Sequence, residues 1–431
     1  MRQTHNMKRN LYAGLLATAL LMLSFSAGAQ ITREKLEQDI DYARGVYHPY
    51  VILGDTKDTP APKGYKPFYI SHYGRHGSRY HTWEGNIADA RKGLKVADSL
   101  GILTSQGKKL QEVIEQQVAY SDGMWGQLTE KGGREHEEIA SRMYKRFRPV
   151  WTQKDRRQVN CLSSHIQRCM TSMAYSTHTL GRLAPGLDFD FLTGERYFKV
   201  ICPAAPKEVH VILKEKRQAF LENELDYMPF YEKVFNSPKL AAGAFDPYRF
   251  CYSVYLAWDI TESLDACRFD ILDYMDIGEV LALSRAHHNH MLYENLRNDS
   301  FSDIRLPVIS VLVKDFLDKA DKALENGSNV AADLRYGHDT GLMPLLAYLG
   351  LDGYDLILQY DTASRVTDAT RLIPMASNLQ IVFYKSSKSP AILVKFLVNE
   401  CETHIPALQP VSGPYYRWED VRKLLVEKSR G

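Results

Sequence analysis

The sequence predicts an α/β fold in which a mostly parallel central sheet is flanked by helices. Three apolar, strand-like segments each run into a short polar turn and then into a helical segment, and they end near Arg75, Ser164 and Gly337. Repeated strand–turn–helix units are typical of βαβ construction, which brings the carboxyl ends of the strands to one edge of the sheet. The pattern further predicts an inserted α-helical cap and a C-terminal β-hairpin.

The N-terminal 29 residues have the features of a secretory signal peptide. A basic start that includes Lys8 and Arg9 precedes an apolar run over 11–25 and the small residues Ala27-Gly28-Ala29. The apolar run is short for a membrane-spanning helix and ends in small residues. We therefore expect residues 1–29 to be removed, leaving a periplasmic or secreted protein with no stable membrane anchor.

The overall charge excludes a general attraction for polyanions. The 431 residues include 54 Lys and Arg against 52 Asp and Glu, a formal net charge of +2. Loss of Arg2, Lys8 and Arg9 with the signal peptide changes the net charge to −1. Nucleic acid is therefore a poor candidate partner, and any attraction for phosphate must be local.

The six cysteines do not form a recognisable metal-binding pattern, because their spacing lacks a C-x₂-C pair. Cys251 and Cys267 are close enough along the chain for a local disulfide, which an exported protein could form. Buried free thiols are the alternative, and the sequence leaves the choice open.

The N-terminal half is expected to alternate helices with two strands. Residues 32–48 and most of 84–118 have helical spacing, and a Pro/Gly/Lys loop over 55–66 leads into the first strand. Thr129 is a candidate N-cap for a further helix. Residues 158–164 form the second predicted strand, followed by a helix. Four residues of the Thr129 helix recur at core spacing: His136, Ala140, Met143 and Phe147.

The C-terminal half begins with a change of character. Strand signals are almost absent over 207–324, which we interpret as a helical cap inserted between the two parts of the α/β core, 30–206 and 325–431. A strand over 329–336 resumes the core. Two β-rich runs, Leu379 to Lys385 and Ala391 to Leu397, are separated by a polar turn and predict an antiparallel hairpin.

The turn after the first strand is suited to binding an anion. It reads Arg75-His76-Gly77-Ser78-Arg79, with a histidine between two arginines and a glycine that allows close approach to the backbone. Arg75 and Arg79 are near enough to His76 to hold one phosphoryl group. A plain surface turn would bring like charges together with no gain.

The other two strand ends supply further ionisable residues. Arg168 follows the second strand, and His338 and Asp339 follow the third. Each is weak evidence alone, since a lone arginine on a helix is usually solvated. Parallel strands bring all three turns to the same sheet edge, so we expect these residues to lie close to His76.

These residues carry a family resemblance. The Arg75–Arg79 run is similar to the Arg-His-Gly-x-Arg signature of the histidine acid phosphatases, the second branch of the histidine phosphatase superfamily, and Gly337–Thr340 resembles their distal His-Asp motif. Further similar segments occur in the family's order at Leu128–Gly132, Ser164–Arg168 and Pro374–Leu379. The resemblance extends over most of the mature chain.

The resemblance implies a role for each residue. His76 would attack phosphorus and form a phosphohistidine, and Asp339 would protonate the leaving alkoxide. No metal or other cofactor is implied, because guanidinium groups would supply the positive charge. Substrate-binding roles are implied for five residues: Arg75, Arg79, Thr82, Arg168 and His338.

Several histidines lie outside this pattern. His81 replaces the proline that often follows the signature, which predicts either a looser loop or a contact between His81 and substrate. His72 and His136 are expected to pack in the interior or lie at the surface. The run Ala286–His290 contains three histidines but lacks acidic partners, which argues against a metal site.

The sequence thus predicts an exported, metal-independent phosphomonoesterase that acts on a small phosphate ester, with phytate or another inositol polyphosphate as the expected substrate. A broad-specificity acid phosphatase or a sugar-phosphate phosphatase of the glucose-1-phosphate type is the alternative. Two other classes remain as rivals. A phosphoglycerate mutase would share the Arg-His-Gly start, and a non-catalytic binding protein would be expected to have lost His76 or Asp339.

Overall fold

The structure is a computed structural model that describes residues 30–203 and 205–429. The predicted signal peptide lies outside the described residues. The eight strands of the described chain are β1 Tyr65–Arg75, β2 Gln158–Ser163, β3 Asp188–Thr193, β4 Val330–Gly337, β5 Asn378–Ser386, β6 Ser389–Val398, β7 Cys401–Thr403 and β8 Tyr416–Arg417.

Helices account for most of the remaining described residues. They are α1 Arg33–Gln38, α2 Ala88–Ser99, α3 Ser105–Ser121, α4 Glu130–Arg146, α5 Arg148–Trp151, α6 Gln167–Leu183, α7 Glu195–Ile201, α8 Lys207–Glu224, α9 Met228–Val234, α10 Pro238–Ala244, α11 Pro247–Asp259, α12 Ile277–Asn295, α13 Ser302–Leu324, α14 Asp339–Leu349, α15 Ala363–Val366, α16 Ala369–Leu372 and α17 Trp418–Lys428. Short 3₁₀ segments occur at Ile40–Tyr47, Glu84–Asn86, Thr261–Ser263, Ile271–Asp273 and Tyr360–Thr362.

One sheet contains the eight strands of the described residues, in the order β3-β2-β4-β1-β5-β6-β7, with β8 paired to β6. The strands β3, β2, β4 and β1 are parallel to one another, and β5 continues the sheet antiparallel to β1. The predicted α/β class with flanking helices is therefore confirmed, and β5 and β6 form the predicted C-terminal hairpin.

The register of the parallel strands determines where the functional turns lie. Arg75 at the end of β1 pairs with Gly337 at the end of β4, and Ser163 at the end of β2 pairs with Tyr336. The three strands thus end within one residue of the same level. The turns that follow them must meet at one sheet edge, as the βαβ pattern predicts.

The described residues between 207 and 324 contain helices and 3₁₀ turns and no strand. Their apolar side chains share one core with the sheet: Tyr69 of β1 belongs to the same buried cluster as Leu213 of α8 and Leu283 of α12. The division of the chain into a core and an inserted cap stays a prediction.

Two predicted helices are broken in the structure. The segment 32–48 divides at Asp39, whose backbone is extended, and its second part is a 3₁₀ helix that contains Gly45 at φ +52°. The ring of His288 lies where a Cβ on Gly45 would be, 2.0 Å from its Nε2. Gly101, at φ +69°, ends the first of the two helices in the segment 84–118.

None of the six cysteines forms a disulfide in the structure, and four of them are buried. The disulfide between Cys251 and Cys267 is therefore not formed, and the alternative of thiols outside any disulfide holds. None of the helices in the described part of the chain has both the length and the apolar character that a membrane crossing requires.

Candidate active site

The three turns meet around His76, whose backbone is bonded on both sides. Its N–H donates to the carbonyl of Gly337 at 2.9 Å, and its carbonyl accepts from the N–H of Ala376 at 3.0 Å. Ala376 has φ +55°, an unusual conformation for a residue with a side chain. The turn before β5 therefore helps to position the histidine in addition to the two strands.

The His76 imidazole has one nitrogen available for chemistry. Its Nδ1 lies 2.9 Å from the carbonyl oxygen of Gly77, so Nδ1 carries the proton and donates it to that oxygen. The ring is buried, and burial together with the charges of Arg168 and Arg75 lowers the pKa of His76 well below its ordinary value. The imidazole is therefore neutral, with a free electron pair on Nε2.

Arg75 is fully buried and held on several sides. Its Nη1 donates to the carbonyl oxygens of Val46 and Ile373 at 2.6 and 2.7 Å. Its Nη2 lies 2.8 Å from Oδ2 of Asp339. Arg75 thus places the Asp339 carboxylate as well as adding positive charge beside His76.

Asp339 begins helix α14, and its carboxylate also accepts from the N–H of Thr340 at 2.9 Å. Burial would raise the pKa of Asp339, but the positive charges of Arg75 and Arg79 help to outweigh burial, and the pKa lies below its ordinary value. The carboxyl is therefore ionised when the site holds no anion. A bound phosphate dianion would oppose these arginines and favour the protonated acid.

His338 is the second histidine of the site, and its ring centre lies 5.5 Å from that of His76. Burial and the charge of Arg168 lower the pKa of His338 to about 3, so the ring is neutral. Its Nε2 lies 3.0 Å from Ser164 Oγ, and its Nδ1 lies 3.3 Å from Nη2 of Arg168. Since Arg168 can only donate, the proton is on Nε2, which donates to Ser164.

Arg79 and Arg168 complete the positive charge. Arg79 donates to the carbonyl of Tyr80 at 2.9 Å, and its guanidinium lies 4.9 Å from the centre of the Tyr47 ring. Burial and the charge of Arg79 lower the pKa of Arg168 to about 10. Within the described chain, no carboxylate lies at ion-pair distance from either arginine. Two uncompensated, largely buried guanidiniums are a strong site for an anion.

The remaining predicted residues lie at the border of this site. Thr82 is exposed, and its backbone lies beside Gly126, whose own neighbour is Nη1 of Arg168. His81 is buried, and burial and the charge of Arg79 lower its pKa to about 3. The carbonyl of His81 accepts from the N–H of Gly126 at 2.6 Å, so the loop is anchored here.

Two residues of the site, Tyr47 and Glu135, have no clear signal in the sequence. The carboxylate of Glu135 lies beneath the turn Arg75–Arg79, called the signature turn below. Its Oε2 accepts from the N–H of Ser78 at 2.7 Å. Sequence spacing alone does not distinguish it from the surface carboxylates of the same helix. Ser164 was indicated as the end of the second predicted strand and the start of the segment Ser164–Arg168, but not as a partner of His338; in the structure it directly follows β2.

The histidines of the run Ala286–His290 do not form a metal site. Nδ1 of His287 forms a hydrogen bond with the Tyr252 hydroxyl at 2.7 Å, and His288 packs against Gly45. In the described residues, no group of three or more potential ligands from His, Cys, Asp and Glu is placed to hold a metal ion.

His72 and His136 are buried, as expected for interior packing.

The sequence matches no protein-family model and no curated protein. Solved structures do match the fold. The multiple inositol polyphosphate phosphatase of Bifidobacterium longum, in complex with inositol hexasulfate, superposes with a TM-score of 0.73 at 19% identity, covering 90% of this chain and 98% of the phosphatase.

Two phytases are also similar. The D. castellii phytase superposes with a TM-score of 0.69 at 14% identity, covering 94% of this chain and 92% of that enzyme. The Hafnia alvei phytase gives a TM-score of 0.51 at 12% identity, with coverages of 86% and 98%. The chain therefore has the fold of these phosphatases along nearly its whole described length.

Proposed function

We propose that this protein is a histidine acid phosphatase, a phosphoric monoester hydrolase that acts through a phosphohistidine on His76. The observation that carries the proposal is the neutral His76 ring, whose Nε2 is free beside uncompensated arginines. The shared fold with phytases and an inositol polyphosphate phosphatase supports it. In this mechanism Arg75, Arg79 and Arg168 bind the phosphoryl oxygens, and Thr82 lies at the substrate side of the loop. His338 joins them when Arg168 turns to the phosphate: Ser164 then donates to Nε2 of His338, and the proton on Nδ1 is donated to a phosphoryl oxygen.

The reaction takes place in two steps. The Nε2 electron pair of His76 forms a bond to phosphorus, the ester P–O bond breaks, and the leaving oxygen takes a proton from Asp339. Water then attacks the phosphohistidine and gives its proton to Asp339, which releases phosphate and restores His76. The guanidiniums match the charge on the three non-bridging oxygens, the task that Mg²⁺ performs in many other phosphoryl transferases.

We further propose that the substrate is polyphosphorylated, with phytate or another inositol polyphosphate as the first candidate. Beyond Arg79, a continuous chain of contacts leads to another arginine. The Tyr47 ring beneath Arg79 lies 5.2 Å from the ring of His287, which bonds to the Tyr252 hydroxyl, and Arg217 lies 4.4 Å from the centre of the Tyr252 ring.

Arg217 belongs to helix α8 and is partly exposed, and no carboxylate of the described chain lies at ion-pair distance from it. Burial and the neighbouring histidines lower the pKa of His287 well below its ordinary value, and the charges of Arg217 and Arg79 add to the effect. The two arginines are thus on either side of one histidine. A substrate with several phosphates can use both, whereas a monophosphate needs only the first.

The experiment compares phytate with p-nitrophenyl phosphate, in the presence of EDTA, for the wild type and for His76→Ala and Arg217→Ala. We expect EDTA to leave activity intact and His76→Ala to lose at least 10³-fold in kcat, as removal of a nucleophile does. Arg217→Ala should raise KM for phytate and leave hydrolysis of p-nitrophenyl phosphate nearly unchanged.

Arg249→Ala is the matched control, because Arg249 is another exposed arginine of the same helical region but is paired with Asp89. Full activity of His76→Ala would rule out a covalent mechanism through His76. Equal effects of Arg217→Ala on both substrates would favour a broad-specificity monoesterase instead. A mutase would transfer phosphate between substrates without releasing it.

Export to the periplasm or the medium remains part of the proposal and rests on the N-terminal sequence.

A further inference from the structure

Glu135 is a buried carboxylate that no step of the proposed reaction uses. It lies in the second turn of α4, directly beneath the signature turn, and is 9% exposed. Its Oε2 accepts from the N–H of Ser78 at 2.7 Å. Its Oε1 accepts from the Ser78 hydroxyl at 2.7 Å and from the N–H of Tyr50 at 2.9 Å. All three partners are donors, so the carboxylate accepts three hydrogen bonds.

The N–H that Glu135 binds belongs to the same peptide unit as the carbonyl that His76 binds. The unit joins Gly77 to Ser78, and because it is planar and trans its N–H and C=O point in opposite directions. A hydrogen-bonded chain therefore runs from the carboxylate through the peptide to Nδ1 of His76, with bonds of 2.7 and 2.9 Å. Bonds in such a chain strengthen one another, because each polarises the next.

We propose that Glu135 is a positioning residue for His76 that acts through the peptide between Gly77 and Ser78. It keeps the imidazole in the form with the proton on Nδ1. It also stabilises the positive charge that the ring acquires when Nε2 bonds to phosphorus while the Nδ1 proton stays in place. The inference rests on the proposed function of His76 as the nucleophile.

The charge of Glu135 is not needed merely to hold the turn. The carbonyl of Ser78 already accepts from the N–H and the hydroxyl of Thr129, both at 3.0 Å, and the N–H of Gly77 donates to Ser172 at 3.3 Å. Burial raises the pKa of Glu135, although the bonds from Ser78 and Tyr50 oppose this. An ionised group is costly at such a position, but the three partners of Glu135 are all donors, and the two oxygens of a carboxylate can accept from all of them, whereas a neutral amide has only one oxygen.

The test compares Glu135→Gln with Glu279→Gln. Glu279 is a matched control: it is a buried carboxylate whose pKa burial raises, and it accepts from the backbone N–H groups of Phe230 and Asp276 at 2.8 Å, in the helical region. We expect Glu135→Gln to lower kcat about 10- to 100-fold, the usual effect of losing one hydrogen bond to a charged group, with a much smaller change in KM. Glu279→Gln should keep the wild-type kcat.

A second measurement does not depend on activity. The ¹⁵N spectrum of histidine-labelled protein, with the His76 signal assigned by its loss in His76→Ala, should show the proton on Nδ1 in the wild type. Glu135→Gln should show a mixture of the two tautomers. Glu135→Asp keeps the charge but moves it away from the peptide by one methylene, so it should recover part of the kcat lost in Glu135→Gln.

Each failure has a distinct signature. A wild-type ring with the proton on Nε2, or a Glu135→Gln variant with wild-type kcat and tautomer, would overturn the role of Glu135. Equal losses of kcat in Glu135→Gln and Glu135→Asp would show that Glu135 acts only through packing. If Glu135→Gln does not fold, Glu135→Asp with wild-type kcat and tautomer overturns the role. A wild type that forms no phosphohistidine would refute the proposed function, while the spectrum would still decide the tautomer.

Discussion

At the scale of single residues, the site depends on which groups are neutral and which are charged. His76 and His338 are held neutral by burial and by neighbouring arginines, whereas Asp339 is held ionised by Arg75. The proposed nucleophile, His76, is thus neutral before substrate binds, and the proposed acid, Asp339, would take up its proton only when a phosphate enters. Replacement of Asp339 tests whether this carboxyl acts as the acid.

Asp339→Asn should slow esters with poor leaving groups by about 10²- to 10⁴-fold, the usual contribution of general acid catalysis. p-Nitrophenyl phosphate should lose far less, because its leaving group needs no proton. Because the pKa of Asp339 is lowered in the unliganded site, the protonated acid is abundant there only at low pH, and its fraction falls as the pH rises. Wild-type activity on alkyl phosphates should therefore be highest at acidic pH.

The measurement is kcat against pH for an alkyl phosphate and for p-nitrophenyl phosphate, in both proteins. Equal losses of Asp339→Asn on the two substrates would contradict the role of a general acid. In the variant, the acidic preference for the alkyl phosphate should disappear.

At the scale of elements, the signature turn and helix α4 approach each other closely. A Cβ on Gly132 would lie 2.2 Å from the carbonyl oxygen of Ser78, and a Cβ on Gly77 would lie 2.5 Å from the carbonyl oxygen of Gly132. Both positions thus need glycine for close approach. The helix supplies Thr129 and Glu135 to the turn only because the two backbones touch.

Gly132→Ala should therefore destabilise the protein by about 1–3 kcal/mol, the usual cost of overpacking, and should lower kcat because the turn shifts. Gly243→Ala is the control. Gly243 lies within helix α10 with no atom close to the position of a new Cβ, so alanine should stabilise the protein by roughly 0.5–1 kcal/mol. Urea denaturation of both variants measures the difference, and an unchanged midpoint for Gly132→Ala would contradict the proposed contact.

At the scale of the whole molecule, buried neutral histidines link stability to pH. Burial lowers the pKa of His72 and His136 to about 3, and other contributions to the two shifts are smaller. An unfolded histidine titrates near 6.5, so below that pH the unfolded state binds protons that the folded state does not. The free energy of unfolding should therefore fall as the pH decreases from about 6.5 toward 3.

Each such histidine contributes up to about 1.4 kcal/mol per pH unit to this fall. His136→Gln should make the slope of unfolding free energy against pH shallower by about one proton between pH 6 and 4. Denaturant titrations at several pH values measure it. A slope equal to that of the wild type would show that His136 is protonated in the folded protein.

Much of the site was predictable because five of its residues end a strand or follow one closely. Arg75 is the last residue of β1. The other four, His76, Arg168, His338 and Asp339, come directly after β1 or β4 or within the first turn of the next helix, and parallel pairing brings such turns together. The edge strand β3 was not predicted, although its residues Asp188–Thr193 alternate in character. A short, half-exposed strand gives a weak signal beside a long helix.

The sequence by itself determined the fold class and the residue types of the site, because hydrophobic periodicity and turn residues are local properties. Only the tertiary structure decided how those residues are paired. It assigned Arg75 to Asp339, the Nδ1 proton of His76 to Gly77, and Glu135 to Ser78. Such pairings join distant parts of the chain, and their charges depend on burial, which no local pattern of residues specifies.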